Sequence, residues 1–287
     1  MALALVAAAL AGCDEDARAG RDVGAYVALG DSYTAGAGTG PRVAGAAAAA
    51  CGQVPGNYPR IVAKEIAAEL VDASCAGART GNATQPQEGN GAAGWPPQLD
   101  AVGRETDLVT VSLGYNDEGF YYDALFDCAS VASQDPTGSP CRDQREQDGI
   151  DPQALPDRIG AALTSVLEQV QDRAPDADLL VVGYPQLVPE EGTCPELPLA
   201  TGDYPYVRDQ LTRLDDAMRA AAEEVGATFV DVMGASAGHD ICAGEDAWVN
   251  GAGTVPEVAV TFHPFAREQQ AVADLVVDAL AWTRGGS

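Results

Sequence analysis

The sequence predicts an α/β fold in which helices cover both faces of a central parallel β-sheet. Short apolar runs bounded by turn residues alternate along the chain with segments of helical periodicity, which is typical of such sheets. The 287 residues are enough to bury a large core, and no shift in composition divides them. We therefore expect residues 23–284 to form a single domain.

The strand candidates are short and rich in valine and leucine, as expected for strands buried on both faces of a parallel sheet. In chain order they are Ala25–Leu29, Leu108–Leu113, Asp178–Gly183 and Ala227–Val232. A weaker fifth run, Glu69–Cys75, is either another strand or the end of the helix before it.

The helix candidates place apolar residues every three or four positions, so that one face can pack on the sheet. Their apolar stripes are Tyr58, Val62, Ile66 and Leu70; Ile159, Leu163, Val166, Leu167 and Val170; Val207, Leu211, Leu214 and Met218; and Val272, Leu275, Val276, Ala279 and Leu280. We interpret these stripes as core and assign them no cofactor role.

Three stretches, Gly77–Pro97, Tyr115–Asp151 and Met233–Thr261, are long, polar and rich in glycine. Loops of this length in a compact domain usually line a site or are held by disulfides. Their aromatic residues either line a groove for an acyl or sugar group or shield the loop interiors. These residues are Trp95, Tyr115, Phe120, Tyr121, Tyr122 and Trp248.

The chain begins with an apolar segment, MALALVAAALAG, that is short for a bilayer span and ends in small residues, as a secretory signal does. Leu10–Cys13 resembles the lipobox of bacterial lipoproteins, in which the cysteine is acylated. We therefore predict a signal peptide at residues 1–13, a membrane tether through lipidated Cys13, and an acidic linker at residues 14–22. The alternative is an ordinary secretory signal in which Cys13 has no role.

The six further cysteines, an even number in an exported chain, predict a disulfide framework. Six cysteines allow about 15 pairings, and the sequence alone does not choose among them. Loop-closure reasoning favours sequential partners, because each such pair brackets a loop-like segment. These pairs are Cys51 with Cys75, Cys128 with Cys141, and Cys194 with Cys242. A zinc site is disfavoured, since the sequence has no C-x-x-C pair and contains only two histidines.

The charge balance argues against several kinds of partner. The chain has 16 Lys and Arg residues against 43 Asp and Glu residues, for a net charge of −27. Such a surface, without a basic patch, repels nucleic-acid phosphates and anionic membrane surfaces. This charge predicts no nucleic-acid partner. We also expect no metal and no organic cofactor, with a structural or adventitious calcium ion held by some of the 43 acidic residues as the open alternative.

The first strand candidate runs directly into the tripeptide GDS, which ends at Ser32. Parallel α/β proteins place their functional loops at this carboxyl edge of the sheet. A serine hydroxyl becomes an effective nucleophile when a histidine takes its proton. His263 precedes a helix start at Pro264, whereas His239 lies in a glycine-rich loop. We therefore predict Ser32 as the nucleophile and His263 as its base.

The oxyanion formed during acyl transfer needs hydrogen-bond donors. Asn116 follows a strand candidate within the sequence GYND, and Gly77 lies just beyond the weaker candidate. We predict an oxyanion hole made of the Ser32 and Gly77 backbone N–H groups and the Asn116 side-chain amide.

Four blocks, Gly30-Asp31-Ser32, Gly77, Gly114-x-Asn116-Asp117 and His263, resemble in order and spacing the blocks of the SGNH (GDSL) hydrolase family. The six cysteines further resemble its secreted actinobacterial branch of lipases, phospholipases and esterases, in which three sequential disulfides are typical. The resemblance implies a flavodoxin-like three-layer α/β/α sandwich. It also implies an acyl-enzyme on Ser32, a base at His263 and the oxyanion hole described above.

One position departs from the family pattern. The family usually has an aspartate three residues before the histidine, and here that position is Val260. Another acceptor must then fix the imidazole tautomer. We predict a Ser–His dyad in which the backbone carbonyl of Val260 or Thr261 orients His263.

A competing motif, G-x-S-x-G, places Ser236 directly after a strand candidate, as in the nucleophile elbow of α/β-hydrolases. Only about fifty residues follow it, and no HGGG-type oxyanion motif is present. We therefore favour Ser32.

Together these features predict an exported, extracellular carboxylic ester hydrolase of the lipase/esterase type, monomeric and acting on small-molecule or lipid esters. Two alternatives remain open. The same residues suit a carbohydrate acetylesterase. Because Val260 replaces the usual aspartate, the chain could alternatively be a lipoprotein that binds a glycan or lipid without hydrolysing it.

Overall fold

Five parallel strands form a central sheet within the residues that the computed structural model describes, 22–88 and 94–285. Cys13, the predicted signal peptide and residues 14–21 lie outside the described residues. The strands are β1 (Ala25–Gly30), β2 (Glu69–Asp72), β3 (Leu108–Ser112), β4 (Asp178–Val182) and β5 (Thr228–Val230). They lie in the order β2-β1-β3-β4-β5, so the order of the strands reverses between β1 and β3.

Four of the α-helices of the described residues pack along the sheet, and the others are short turns in the connections. The helices are α1 (Ser32–Ala35), α2 (Ala46–Ala50), α3 (Tyr58–Glu65), α4 (Phe120–Tyr122), α5 (Cys128–Val131), α6 (Pro140–Gln147), α7 (Ala154–Arg173), α8 (Tyr204–Glu224), α9 (Val232–Ala235) and α10 (Ala266–Gly285). Within residues 22–88 and 94–285, none of these helices is long and apolar enough to cross a membrane.

The two faces of the sheet are buried by different helices. Val109 and Val111 of β3 pack in one cluster with the apolar stripes of α7 and α8. Leu108, which points to the opposite face of the same strand, packs in a second cluster with α3 and α10. The arrangement is a three-layer α/β/α sandwich, which confirms the predicted fold.

The boundary between α3 and β2 resolves the ambiguity at Glu69–Cys75. α3 ends at Glu65, and Ala67 adopts a left-handed backbone with a φ of 56°, which cannot continue a right-handed helix. β2 then pairs with β1, with Glu69 opposite Ala25. Leu70 therefore lies on a strand, and its assignment to the helical stripe is wrong.

The stretch Tyr115–Asp151, predicted as a long loop, contains α4, α5 and α6, with a π-helical turn, Asp123–Asp127, between α4 and α5. None of these helices exceeds eight residues. They are too short to show the apolar periodicity that identifies a long amphipathic helix.

The three disulfides join Cys51 to Cys75, Cys128 to Cys141 and Cys194 to Cys242, the sequential pairing that loop closure favours. Their sequence separations are 24, 13 and 48 residues. In the chain-entropy view, loops of this size each stabilise the fold by about 3–4 kcal/mol through restriction of the unfolded chain.

Truncation of the core beneath α7 tests the packing of this layer. We expect Leu163→Ala to lower the free energy of unfolding by about 2–5 kcal/mol, because this fully buried side chain would leave a cavity. Ser165→Ala, at an exposed position on the same helix, should change it by less than about 0.5 kcal/mol. Urea denaturation of both variants measures the difference, and equal costs would contradict the packing described here.

Candidate active site

Ser32 lies at the sharp turn where β1 leaves the sheet and α1 begins. Asp31 caps this turn, because its Oδ1 accepts a hydrogen bond from the Tyr33 backbone N–H at 2.9 Å. A side chain at Gly30 would not fit, since a Cβ there would lie 2.0 Å from Thr34 Oγ1. The turn thus places the Ser32 hydroxyl at the carboxyl edge of the sheet.

The imidazole of His263 lies within hydrogen-bond distance of that hydroxyl. Its Nε2 is 2.9 Å from Ser32 Oγ, and its Nδ1 is 2.8 Å from the backbone carbonyl oxygen of Thr261. Because a carbonyl can only accept, the second contact favours the tautomer with its proton on Nδ1. Nε2 is then free to accept the serine proton. Burial lowers the pKa of His263 below 6.5, although the contact with Thr261 raises it, and the neutral base is favoured.

Val260, at the position of the expected aspartate, contacts the loop after α1. A Cβ at Gly38 would lie 2.8 Å from Val260 Cγ1, so the absence of a side chain at Gly38 leaves room for the valine. Of the two carbonyls considered from the sequence, that of Thr261 meets the imidazole. The Val260 carbonyl instead accepts the His263 backbone N–H at 3.1 Å and the Asn250 side-chain amide at 3.1 Å.

The three predicted oxyanion-hole donors differ in whether they already donate a hydrogen bond. The backbone N–H groups of Ser32 and Gly77 donate to no acceptor within residues 22–88 and 94–285. Gly77 has a φ of 81°, a conformation that suits glycine. The Asn116 amide is already engaged, since its Nδ2 donates to the Ala78 carbonyl at 3.0 Å and to Asp31 Oδ2 at 3.3 Å.

Asn116 and its neighbour Asp117 together join the loops that follow β2 and β3. Asn116 holds the carbonyl of Ala78, while the carboxylate of Asp117 accepts hydrogen bonds from the backbone N–H and the hydroxyl of Thr80. These contacts position the segment that carries Gly77 beside the turn that carries Ser32.

The sequence pattern of the GDSL-like Lipase/Acylhydrolase family matches residues 28–271. The chain belongs to this family. It is therefore an ester hydrolase, and the resemblance drawn from its four blocks is confirmed. Lipase 2 of Streptomyces coelicolor is 40% identical over 268 residues, covering 89% of this chain and 85% of that protein. An esterase of Streptomyces scabiei is 35% identical over 259 residues, covering 78% of this chain and 74% of that protein.

Solved structures show the same fold. Phospholipase A1 from Streptomyces albidoflavus NA297 superposes with a TM-score of 0.73 at 26% identity, covering 90% of this chain and 99% of that one. An extracellular lipase from Streptomyces rimosus superposes with a TM-score of 0.67 at 26% identity, covering 89% of this chain and 99% of that one.

The carboxyl of Asp31 is fully buried in the hydrolase and joins three loops. Its Oδ2 accepts the Tyr184 hydroxyl at 2.7 Å and the Asn116 amide, and its Oδ1 accepts the Tyr33 N–H. Burial raises the pKa of Asp31 to about 7, against the opposing effect of these hydrogen bonds. The sequence marked Asp31 as part of a motif but did not reveal this network, because Tyr184 lies 153 residues away.

Tyrosine rings surround the imidazole of the hydrolase. Tyr33 stacks on His263 with a centroid distance of 5.5 Å, and Tyr121 meets it edge-on at 5.8 Å. Tyr115 stacks on Tyr184 at 3.5 Å beneath them. Neither Tyr33 nor Tyr184 was predicted from the sequence, although Tyr33 directly follows Ser32 and so must share its turn.

The other aromatic residues of the long loops are dispersed. Phe120 is buried beside Tyr115, whereas Tyr122 is 58% exposed. Trp95 donates its indole N–H to the Ala73 carbonyl. Trp248 stacks on His239 at 4.8 Å.

The competing serine of the hydrolase is structural. Ser236 is fully buried, and its hydroxyl accepts the Gln186 backbone N–H at 2.7 Å and donates to the Met233 carbonyl at 3.1 Å. His239 directs its Nδ1 to the Asp246 carbonyl at 2.8 Å. The G-x-S-x-G motif thus joins α9 to the loop after β4, and neither partner of the Ser236 hydroxyl is a histidine.

Residues 22–88 and 94–285 contain no group of three or more His, Cys, Asp or Glu side chains that could hold a metal ion.

The buried carboxyl of Glu268 makes stability depend on pH. Burial raises the pKa of Glu268 from 4.5 to about 8. Between these values the folded hydrolase binds more protons than the unfolded chain, so rising pH favours unfolding. We expect the free energy of unfolding to fall as the pH rises through this window, and Glu268→Gln to make the fall shallower.

Urea denaturation between about pH 5 and pH 8.5 measures this slope. Glu223→Gln, at an exposed position on α8, is the matched control and should leave the slope unchanged. Identical slopes in the wild type and Glu268→Gln would show that Glu268 does not hold a proton in the folded state.

Proposed function

We propose that the hydrolase cleaves carboxylic esters through an acyl-enzyme on Ser32, with His263 as the general base. The observation that carries this proposal is the contact of 2.9 Å between His263 Nε2 and Ser32 Oγ. The hydrogen bond from Nδ1 to the Thr261 carbonyl supports it, because this bond directs the free lone pair of Nε2 at the hydroxyl.

In the first half-reaction, the Ser32 oxygen attacks the ester carbonyl carbon while its proton passes to His263 Nε2. The oxyanion that forms accepts hydrogen bonds from the Ser32 and Gly77 backbone N–H groups. Asn116 adds a third donor when it releases its longer contact, of 3.3 Å, with Asp31.

The tetrahedral adduct then collapses, and the imidazolium returns the proton to the leaving alcohol. A water molecule, deprotonated by His263 in the same way, then attacks the acyl carbon. The bond from that carbon to Ser32 Oγ breaks, the imidazolium returns the proton to Oγ, and the carboxylic acid is released. The Thr261 carbonyl stabilises the protonated imidazole and keeps its orientation through both steps.

Replacement of each of two buried serines tests the assignment. We expect Ser32→Ala to lower kcat for p-nitrophenyl esters by at least about 10³-fold and to abolish labelling by a fluorophosphonate. Ser236→Ala removes a hydroxyl whose partners are the Gln186 N–H and the Met233 carbonyl, and it should still hydrolyse and label like the wild type. Steady-state kinetics and mass spectrometry of the labelled peptide measure both outcomes. A wild-type protein that neither labels nor hydrolyses would instead support a binding lipoprotein.

We propose lipid and small acyl esters as the substrates. The support comes from relatives named as lipases and an esterase, and from the likeness to a phospholipase A1. The aromatic side chains around His263, together with Phe126 against Phe262, give the surroundings of Ser32 an apolar character that suits an acyl chain.

A chain-length series of p-nitrophenyl esters tests this substrate class. We expect kcat/KM to rise from acetate to medium acyl chains by about tenfold, since each buried methylene adds favourable transfer free energy. Acetylated xylan is the comparison substrate. Preference for the acetylated polysaccharide over every acyl ester would favour the carbohydrate acetylesterase.

We further propose that the hydrolase is exported and acts outside the cell as a monomer, with Cys13 as a lipid attachment point. Three disulfides support export, because such bonds persist in oxidising compartments. The similar Streptomyces rimosus enzyme is an extracellular lipase.

A further inference from the structure

We propose that Tyr33 and Tyr121 are positioning residues for His263, because their hydroxyls together hold the Phe262 carbonyl and so fix the backbone that orients the imidazole. This inference rests on the proposed role of His263 as the base. We call the two hydroxyls and the carbonyl they bind the tyrosine clamp.

The clamp is a direct contact of three buried groups. The Tyr33 hydroxyl donates to the Phe262 carbonyl at 2.7 Å, and the Tyr121 hydroxyl donates to the same oxygen. A carbonyl oxygen has two lone pairs, so the two phenols complete its hydrogen bonding. Tyr33 and Tyr121 are 4% and 7% exposed, and water does not compete freely for these bonds.

The carbonyl belongs to a residue in an unfavourable backbone conformation. Phe262 has a φ of 56°, in the left-handed region that a bulky residue rarely occupies. Such a conformation persists when the surroundings hold it. Here its N–H donates to the Gly251 carbonyl at 3.2 Å, its ring packs on Phe126 at 5.0 Å, and the clamp holds its carbonyl.

Phe262 lies between Thr261 and His263, so the clamp acts on the backbone that sets the orientation of the imidazole. Thr261, on one side of it, supplies the carbonyl that meets Nδ1, and His263, on the other side, carries the ring. A rotation of the peptide between Phe262 and His263 would change both the Nδ1 contact and the distance from Nε2 to Ser32 Oγ. Holding the Phe262 carbonyl prevents this rotation.

The clamp supplies rigidity that the missing carboxylate would otherwise provide. A neutral carbonyl holds an imidazole N–H less strongly than a carboxylate does. The orientation of His263 therefore depends more on its backbone. Tyr33 directly follows Ser32, and Tyr121 lies on α4, in the segment that follows β3. The clamp therefore joins the turn that carries Ser32 and the segment after β3 to the loop that carries His263.

Histidine tautomers report directly on the clamp. The chain has two histidines, so selective ¹⁵N-histidine labelling gives four ring nitrogen signals, and His239→Gln assigns them. In the wild type we expect a protonated Nδ1 and an unprotonated Nε2 at His263. In the Tyr33→Phe, Tyr121→Phe double variant, which keeps both rings, we expect the signals to move toward a mixture of tautomers.

Kinetics of the same variants measure the consequence. We expect the double variant to lower kcat by about 10²-fold with little change in KM, and each single variant to lower it by about tenfold. The single variants each retain one donor to the carbonyl, so they test the clamp even where the double variant does not fold. Tyr204→Phe is the matched control, since it removes another buried hydroxyl bound to backbone carbonyls, those of Cys194 and Leu197. It should change neither kcat nor the tautomers.

Wild-type tautomer populations in the variants would overturn the proposal, whether or not kcat falls. Equal losses in Tyr204→Phe would also overturn it, since they would indicate a general loss of stability. If the wild type neither hydrolyses esters nor labels at Ser32, the proposed function fails, while the tautomer populations still decide whether the clamp orients His263.

Discussion

The hydrogen bond between Ser32 Oγ and His263 Nε2 joins residues 231 positions apart, and it requires the whole fold. Ser32 is placed by β1 in the interior of the sheet, whereas His263 is placed by the start of α10. Gln269 connects α10 to the turn that carries Ser32 and to α3. Its side-chain amide N–H donates to the Tyr33 carbonyl at 2.9 Å, and its amide oxygen accepts the Tyr58 N–H at 2.8 Å. The site therefore forms when α10 packs on the sheet beside α3, and no part of the chain assembles it alone.

One group orients the His263 imidazole, and a different group, the Asp31 carboxyl, holds the surrounding loops together. The Thr261 carbonyl meets Nδ1, so the tautomer is set by a neutral dipole. The buried carboxyl nearest the turn, Asp31, binds the Tyr33 N–H, the Tyr184 hydroxyl and the Asn116 amide rather than His263. Since a neutral acceptor attracts the imidazolium less than a carboxylate does, accurate placement of the ring becomes more important. The backbone contacts of the histidine loop meet this need.

The sequence allowed the sheet and the layers to be predicted, and it singled out Ser32 and His263, which the fold brings within 2.9 Å, because these follow from apolar runs and from motifs with a fixed order. It also narrowed the acceptor for His263 to two carbonyls, of which the structure brings Thr261 to the ring. It did not reveal the tyrosine clamp, since whether a phenol reaches a given carbonyl depends on how three loops pack. The end of α3 could not be predicted for a different reason. Ala67 adopts a left-handed backbone there, but alanine is the best helix former, so its identity does not indicate a helix end. The short helices of Tyr115–Asp151 were missed because one or two turns carry too little periodicity to recognise.

Much of the site is unfavourable for stability. Phe262 adopts a left-handed backbone, and Asp31 and Glu268 are buried carboxyls whose pKa values are raised to about 7 and about 8. The Oε2 of Glu268 accepts the Gln269 amide at 2.6 Å and so fixes which end of that amide faces Tyr33. The Phe262 carbonyl accepts the Tyr33 hydroxyl, and Glu268 holds the amide of Gln269 that donates to the Tyr33 carbonyl, so both support contacts with the turn that carries Ser32. Asp31 instead joins this turn to the loops after β3 and β4. Because disulfides restrict the unfolded chain, the three disulfides offset part of such costs.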